Sequence, residues 1–236
     1  MKIFGIVGNY REHVAEMDWK TFPAGESPSL ARATVEGAGS GCDVPVFFTK
    51  CDSALVNRGM PFFIPDFTDQ CEYETELVVR ISRMGRSISE RFAHRYYDAV
   101  TVGVDFTARD VQRRMRSQGL PWDLAKGFDG SAVIGEWRTF GQLHNRNPQE
   151  MDSISCLLKA GVEFRLDING RTVQSGLSSR MIHSVDRIVS YISGFVTLKT
   201  GDLIYTGTPA GVGPVHIDDH LTGYLDGEKV LEFNVK

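Results

Sequence analysis

The run ETELVVRISRM, from Glu74 to Met84, decides how this chain folds. Leu77, Val78, Val79 and Ile81 make its middle apolar and rich in branched side chains, which suits a strand buried in a sheet. Yet the run opens with Glu74 and Glu76, and Glu72 precedes them, so carboxylates recur at every second position. On a strand such residues project to one face. Carboxylates held that close destabilise the fold and raise one another's pKa unless a cation lies between them. A solvated edge strand would tolerate them, but so apolar a continuation belongs to a core strand, where bare carboxylates are rare. Hard oxygen ligands of this kind suit Mg2+ or Mn2+.

Working outward, AVTVGVDF (Ala99–Phe106) reads as a second core strand. It ends at Asp105, which is either a third ligand or a cap for the helix that follows. That helix is expected over Arg109–Gln118, capped by Thr107 and stopped by Gly119 and Pro121. Upstream, Lys2–Val7, Pro45–Lys50 and Pro61–Pro65 read as short strands. Tyr10–Met17 reads as a helix that brings His13 and Glu16 onto one face. The pair is either a general base with its orienting carboxylate or an ordinary surface contact. Residues 18–43 shift to Gly, Ser, Pro and Ala, and a loop that long in a compact domain reads as a lid or binding loop. Downstream come a hairpin turning at Asn169-Gly170, a helix capped by Ser184 and a second hairpin turning at Asp226-Gly227. With four short helices and no regular βα alternation, the pattern predicts an α+β, mainly β chain with mixed or antiparallel sheets. A single catalytic domain over 1–236 is expected, with about 10–43 as lid and loop.

Composition excludes several function classes. The 26 Lys and Arg against 30 Asp and Glu give a net charge of −4, so no global positive field draws the chain to nucleic acid or an anionic membrane. No apolar run approaches the roughly 18 residues of a membrane span. The start, MKIFGIVGNYREH, is too short an apolar run for a signal peptide and meets Arg11, Glu12 and His13. The four cysteines have no CxxC spacing, which argues against structural zinc and for a reducing compartment. A cytoplasmic protein with a small-molecule partner is the expectation.

Two further segments carry chemistry. Lys126 lies in LAKGF, where it either snorkels to the surface or sits buried as an oxyanion donor. TGTPAGVG (Thr206–Gly213) offers backbone N–H groups and the Thr208 hydroxyl to a carboxylate, and lacks the Gly-Lys-Ser/Thr of a phosphate loop. In order, the chain shows YxxHxxE (Tyr10–Glu16), ExEL (Glu74–Leu77), DxTARDVQ (Asp105–Gln112), GLPWxLAKxFD (Gly119–Asp129) and TLKTGDLIYTGTPAGVG (Thr197–Gly213). This series resembles the fumarylacetoacetate hydrolase family, in its short acylpyruvase-like or 2-hydroxyhepta-2,4-diene-1,7-dioate isomerase-like branch.

The resemblance implies the mixed β-sheet roll of that family's C-terminal domain and a homodimer. Position by position it implies metal ligands at Glu74, Glu76 and Asp105, holding Mg2+ or Mn2+. It implies a catalytic His13–Glu16 dyad with Lys126, and substrate contacts from Arg109, Gln112 and Thr208. The implied substrate is a small 2-keto acid. The implied reaction is carbon–carbon hydrolysis of an acylpyruvate or fumarylpyruvate. The alternatives are oxaloacetate decarboxylation or tautomerisation, or dienoate isomerisation, at the same site.

Overall fold

A computed structural model of the chain describes residues 1–17, 44–56, 59–143 and 153–236. Its strands are β1 Ile3–Val7, β2 Val46–Lys50, β3 Cys71–Tyr73, β4 Thr75–Ile81, β5 Tyr97–Asp105, β6 Thr107–Ala108 and β7 Ala132–Ile134. They continue with β8 Arg138–Thr139, β9 Glu163–Ile168, β10 Arg171–Leu177, β11 Leu203–Tyr205, β12 Gly213–Pro214, β13 His220–Leu225 and β14 Glu228–Asn234. The helices are α1 Arg11–Glu16, α2 Arg109–Ser117, α3 Asp123–Lys126, α4 Ile154–Ala160 and α5 Val185–Phe195.

The apolar centre of the Glu74–Met84 run becomes β4, buried at Leu77, Val78, Val79 and Ile81 because it lies in the middle of a sheet ordered β2-β1-β11-β4-β5-β7, with β8 added beside β5. Only the β1–β11 pairing in this sheet is parallel, so the sheet is mixed. A four-stranded antiparallel sheet, β10-β9-β13-β14, supplies the second layer. Val102 and Val104 of β5 share one buried apolar cluster with Leu166, Leu221, Leu231 and Phe233 of that layer. Phe106 stacks on Phe62 at 3.6 Å between ring centres and meets Phe233 edge-on at 6.1 Å, sealing the end of this core. The expected α+β, mainly β roll is the observed fold.

Both hairpins form at the expected dipeptides. Asn169 and Gly170 have φ of 52° and 78°, and Asp226 and Gly227 have 50° and 87°, the left-handed pair that a two-residue turn requires. Ser184 caps α5 by accepting from the Arg187 N–H at 3.2 Å.

Four local expectations need correction. Glu72, Glu74 and Glu76 do not share one strand: the chain changes sheets at Glu74, β3 pairing with β6 and β12 while β4 pairs with β5 and β11. Thr107 does not cap α2. It lies in β6, and Ala108 occupies the cap position without a side-chain bond. Pro61–Pro65 is not a strand: Phe62 bridges Val235, and the Phe62 and Ile64 N–H groups donate to the Asn234 and Lys236 carbonyls at 2.9 and 2.8 Å. Finally, five α-helices stand among the described residues where four were counted and three were placed; α3 and the Ser153-capped α4 had no place assigned. The long loop expected over 18–43 lies outside the described residues. Among the described residues no helix is long and apolar enough to cross a membrane, and Cys51 and Cys71 are free thiols.

Candidate active site

The site forms where the strand ends of the mixed sheet meet α1, α2 and α3. Glu74 stands at the crossover between β3 and β4, Glu76 is in β4, and Asp105 ends β5. Antiparallel pairing fixes their proximity. Thr75 is registered with Val104 and Glu76 with Gly103, and the Asp105 N–H donates to the Glu74 carbonyl at 2.8 Å. The three carboxylates are buried and each offers an oxygen within 4.8 Å of the others. The sequence-predicted ligand set is therefore brought together.

The surrounding charges make this proximity possible. Lys126 Nζ donates to Glu74 Oε2 at 2.7 Å, Asp105 Oδ2 at 2.9 Å and Thr107 Oγ1 at 2.6 Å. Arg109 donates to Glu72 and Glu74, and to Gln112 Oε1, each at 2.6 Å. Lys50 Nζ lies 2.7 Å from Asp105 Oδ1. Four carboxylates (Glu72, Glu74, Glu76, Asp105) thus face three cations (Lys50, Arg109, Lys126), one negative charge in excess when all are ionised.

That excess falls on Glu76. Burial raises its pKa well above the usual carboxylate range, and the charges of Asp105 and Glu74 raise it further. Its carboxylate accepts from the Gly207 N–H at 2.5 Å, and among the described residues no lysine or arginine forms an ion pair with it. Burial also opposes the charge on Glu74, but Lys126, Arg109 and His13 outweigh it and hold Glu74 well below the usual range. Asp105 Oδ1 is buried with Lys50 as its charge partner at 2.7 Å. Among the described residues Glu76 is left without a cation partner, and a like-charged carboxylate cluster of this kind is what an added cation would satisfy. The residues present therefore fit a divalent metal.

His13 and Glu16 lie on α1, with His13 Nδ1 3.4 Å from Glu16 Oε2. Glu16 in turn accepts from the Gly211 N–H at 3.2 and 3.1 Å. Burial lowers the His13 pKa, and although Glu74 opposes this, the net shift is downward, which favours the neutral imidazole. His13, Glu74, Arg109, Gln112, Lys126 and Thr208 line one small cleft, with Phe48 and Trp122 forming apolar wall.

Several expected roles acquire a different local partner. The three N–H bonds of Lys126 are all engaged, so it reaches a substrate oxygen by exchanging one of them. Arg109 bridges Glu72, Glu74 and Gln112. Thr208 Oγ1 donates to the Thr75 carbonyl at 2.9 Å and accepts from Gln174 Nε2 at 2.8 Å. The TGTPAGVG segment does grip carboxylates, but through Gly207 and Gly211 it grips the protein's own Glu76 and Glu16. Gly207 has φ of 99°, and a Cβ there would lie 2.6 Å from Asn9 Cβ, so the donor position requires glycine.

Sequence reasoning missed three contributors. Lys50 gave no signal beyond a lysine ending an apolar run. Gln174 Oε1 accepts from the Thr75 N–H at 2.9 Å and its amide holds Thr208 and Pro209, a contact across 99 residues. Asn9 is buried, its amide donating to the Thr206 and His183 carbonyls and its oxygen accepting from the His183 N–H.

Comparison with known proteins adds a family pattern to this geometry. The model for the fumarylacetoacetate (FAA) hydrolase C-terminal family matches residues 2–235. The mitochondrial oxaloacetate tautomerase of Mus musculus is 34% identical over 228 residues, covering 97% of this chain and 88% of the mouse protein. A fumarylpyruvate hydrolase from Pseudomonas aeruginosa, solved with Mn2+ and pyruvate, is 30% identical with a TM-score of 0.78, over 100% of this chain and 89% of that one. The 2-hydroxyhepta-2,4-diene-1,7-dioate isomerase of Mycobacterium marinum is 29% identical with a TM-score of 0.71, over 99% and 73% of the two chains.

Proposed function

The chain belongs to the fumarylacetoacetate hydrolase family, and on that premise we propose that it is a divalent-metal-dependent hydrolase of small 1,3-diketo acids. It cleaves the carbon–carbon bond of an acylpyruvate or fumarylpyruvate and releases pyruvate. The observation that carries this reading is a buried His13 backed by Glu16 in the same cleft as Glu74 and Lys126. The resemblance to the Mn2+- and pyruvate-bound Pseudomonas enzyme supports the substrate class.

Glu74, Glu76 and Asp105 would hold Mg2+ or Mn2+, which supplies Lewis-acid polarisation to a 2-keto acid. His13, with Nδ1–H directed at Glu16, keeps Nε2 as its basic atom and takes a proton from water. The resulting hydroxide adds to the distal carbonyl carbon. Lys126 and Gln112 donate hydrogen bonds to the oxyanion that develops there. Collapse of that adduct breaks the carbon–carbon bond, and the electron pair leaves on the pyruvate fragment, whose carbon is then protonated. Glu16 stabilises the imidazolium while the proton resides on His13.

A second reading, tautomerisation of oxaloacetate, is favoured by the 34% identity to the mouse tautomerase. It needs His13 only to move a carbon-bound proton. Assaying acetylpyruvate, fumarylpyruvate, oxaloacetate and a homoprotocatechuate-type dienoate with Mg2+ or Mn2+ separates the two. Cleavage of an acylpyruvate to pyruvate is expected. Oxaloacetate tautomerisation with no acylpyruvate cleavage would replace the first reading by the second.

A further inference from the structure

Lys50 is among the most buried charges in the protein, with its ammonium fully enclosed at the end of β2. Its donors go to the Lys126 carbonyl, the Ser131 carbonyl at 3.1 Å and Ser131 Oγ at 3.0 Å. Ser131 Oγ itself donates to the Lys126 carbonyl at 2.8 Å, so its oxygen faces Lys50 as an acceptor. Three acceptors and the Asp105 carboxylate surround this nitrogen, a set that matches the donors and the charge of an ammonium; burial lowers the Lys50 pKa, and the charge of Asp105 opposes that.

Three of these contacts go to the end of α3 and the loop after it. Asp105 Oδ1 lies 2.7 Å from the same nitrogen, an ion pair with a candidate metal ligand. Lys50 therefore ties that loop to Asp105 through its charge. Phe48 adds a shared wall: its ring centre is 5.9 Å from Lys50 Nζ and 5.2 Å from Lys126 Nζ. A buried lysine with this set of partners does two things. It fixes where Lys126 begins its reach into the cleft, and it offsets part of the negative charge that a metal ion meets.

We propose that Lys50 is a positioning residue of the active site, one that locks the Lys126 loop for turnover and moderates the grip of Glu74, Glu76 and Asp105 on their cation. The inference rests on the functional reading above only for its turnover arm. The signature is a pair of opposite effects. Removing the ammonium strengthens metal binding, because one positive charge beside the ligands is lost, and slows catalysis, because Lys126 is no longer held. A lysine that merely supported the fold would weaken both.

The test compares wild type with Lys50→Met and Ser131→Ala. Mn2+ affinity is measured by calorimetric titration, and kcat and KM for acetylpyruvate and oxaloacetate at saturating Mn2+. For Lys50→Met the expected result is Mn2+ binding tighter by on the order of tenfold or more, with kcat lower by roughly 10–100-fold. KM should stay within about threefold, since the binding groups remain. Ser131→Ala removes an acceptor of Lys50 but no charge. It should lower kcat by about 3–10-fold at unchanged Mn2+ affinity. Unchanged or weaker Mn2+ binding in Lys50→Met overturns the counter-charge role, and unchanged kcat in either variant overturns the positioning role. If Lys50→Met does not fold, Ser131→Ala decides the matter by the same kcat criterion. If wild type turns over neither substrate, the functional reading falls, while the Mn2+ titration still tests Lys50.

Discussion

Glu74 and Glu76 are both candidate ligands two residues apart, yet neutralising each should move the metal-free protein differently. Glu74→Gln leaves Lys126 and Arg109 buried after loss of a charged partner at 2.7 and 2.6 Å. Breaking a buried pair costs about 3–5 kcal/mol, and at about 2–4 °C per kcal/mol for a chain of this size the Tm should fall by roughly 6–20 °C. Glu76→Gln instead removes a charge whose nearest ionised neighbours, Glu74 and Asp105, repel it from within 4.8 Å. At an effective dielectric near 20, each such like-charge pair costs on the order of 3.5 kcal/mol, while the amide oxygen keeps the Gly207 bond. The Tm of this variant should be unchanged or higher.

The pH dependence follows the same division. Because the folded-state pKa of Glu76 is raised, its favourable contribution is present below the ordinary carboxylate value. It is lost as pH rises through the folded value. Glu74 is depressed, so its contribution is present above the ordinary value and lost as pH falls through the folded one. Calorimetry of EDTA-treated protein across this range reads both, followed by Mn2+ addition. At 100 times its Kd, Mn2+ should stabilise wild type by about 2.7 kcal/mol, and both variants should lose most of that gain. A metal-free Glu76→Gln as unstable as Glu74→Gln, or one that binds Mn2+ as wild type does, would refute the reasoning.

Three other outcomes are expected. His13→Ala should lower acylpyruvate cleavage by on the order of 10²–10⁴-fold and spare oxaloacetate decarboxylation more; steady-state rates on both substrates check this. Since burial depresses the His13 pKa, the acidic limb of the wild-type kcat/KM profile should fall below the free imidazole value near ~6.5. Gly207→Ala forces a side chain onto Asn9 at a left-handed φ, and should cost more than about 1 kcal/mol in urea unfolding while weakening Mn2+ binding through Glu76. Gln174→Leu strands the buried Thr75 N–H, for which about 1–3 kcal/mol is the usual cost, and should lower the urea midpoint.

Much of the fold was legible because its signals are local. The branched, apolar run Leu77–Ile81 can be satisfied only inside a sheet, and Asn169-Gly170 and Asp226-Gly227 can adopt paired left-handed angles where few other dipeptides can. The glutamates ahead of a core strand also pointed to a carboxylate cluster that could hold a cation, and Glu74 and Glu76 do meet Asp105 there. Where local signals compete, they failed. Thr107 is a good cap by type, but β6 pairing and the ammonium of Lys126 claim it instead. Glu72 shares the alternation, but the switch of sheets at Glu74 sends it to Arg109.

By itself, then, the sequence determined the strand-rich class, the turns, the Glu74–Glu76–Asp105 set and the His13–Glu16 pair, each written within a few residues or in a motif. Only the tertiary structure decided how those charges are balanced. Lys50 meets Asp105 across 55 positions, Gly207 meets Glu76 across 131, and Gly211 meets Glu16 across 195. Contacts of that separation leave no periodicity in the chain. A lysine or a glycine alone does not say which carboxylate it will face until the sheets bring them together.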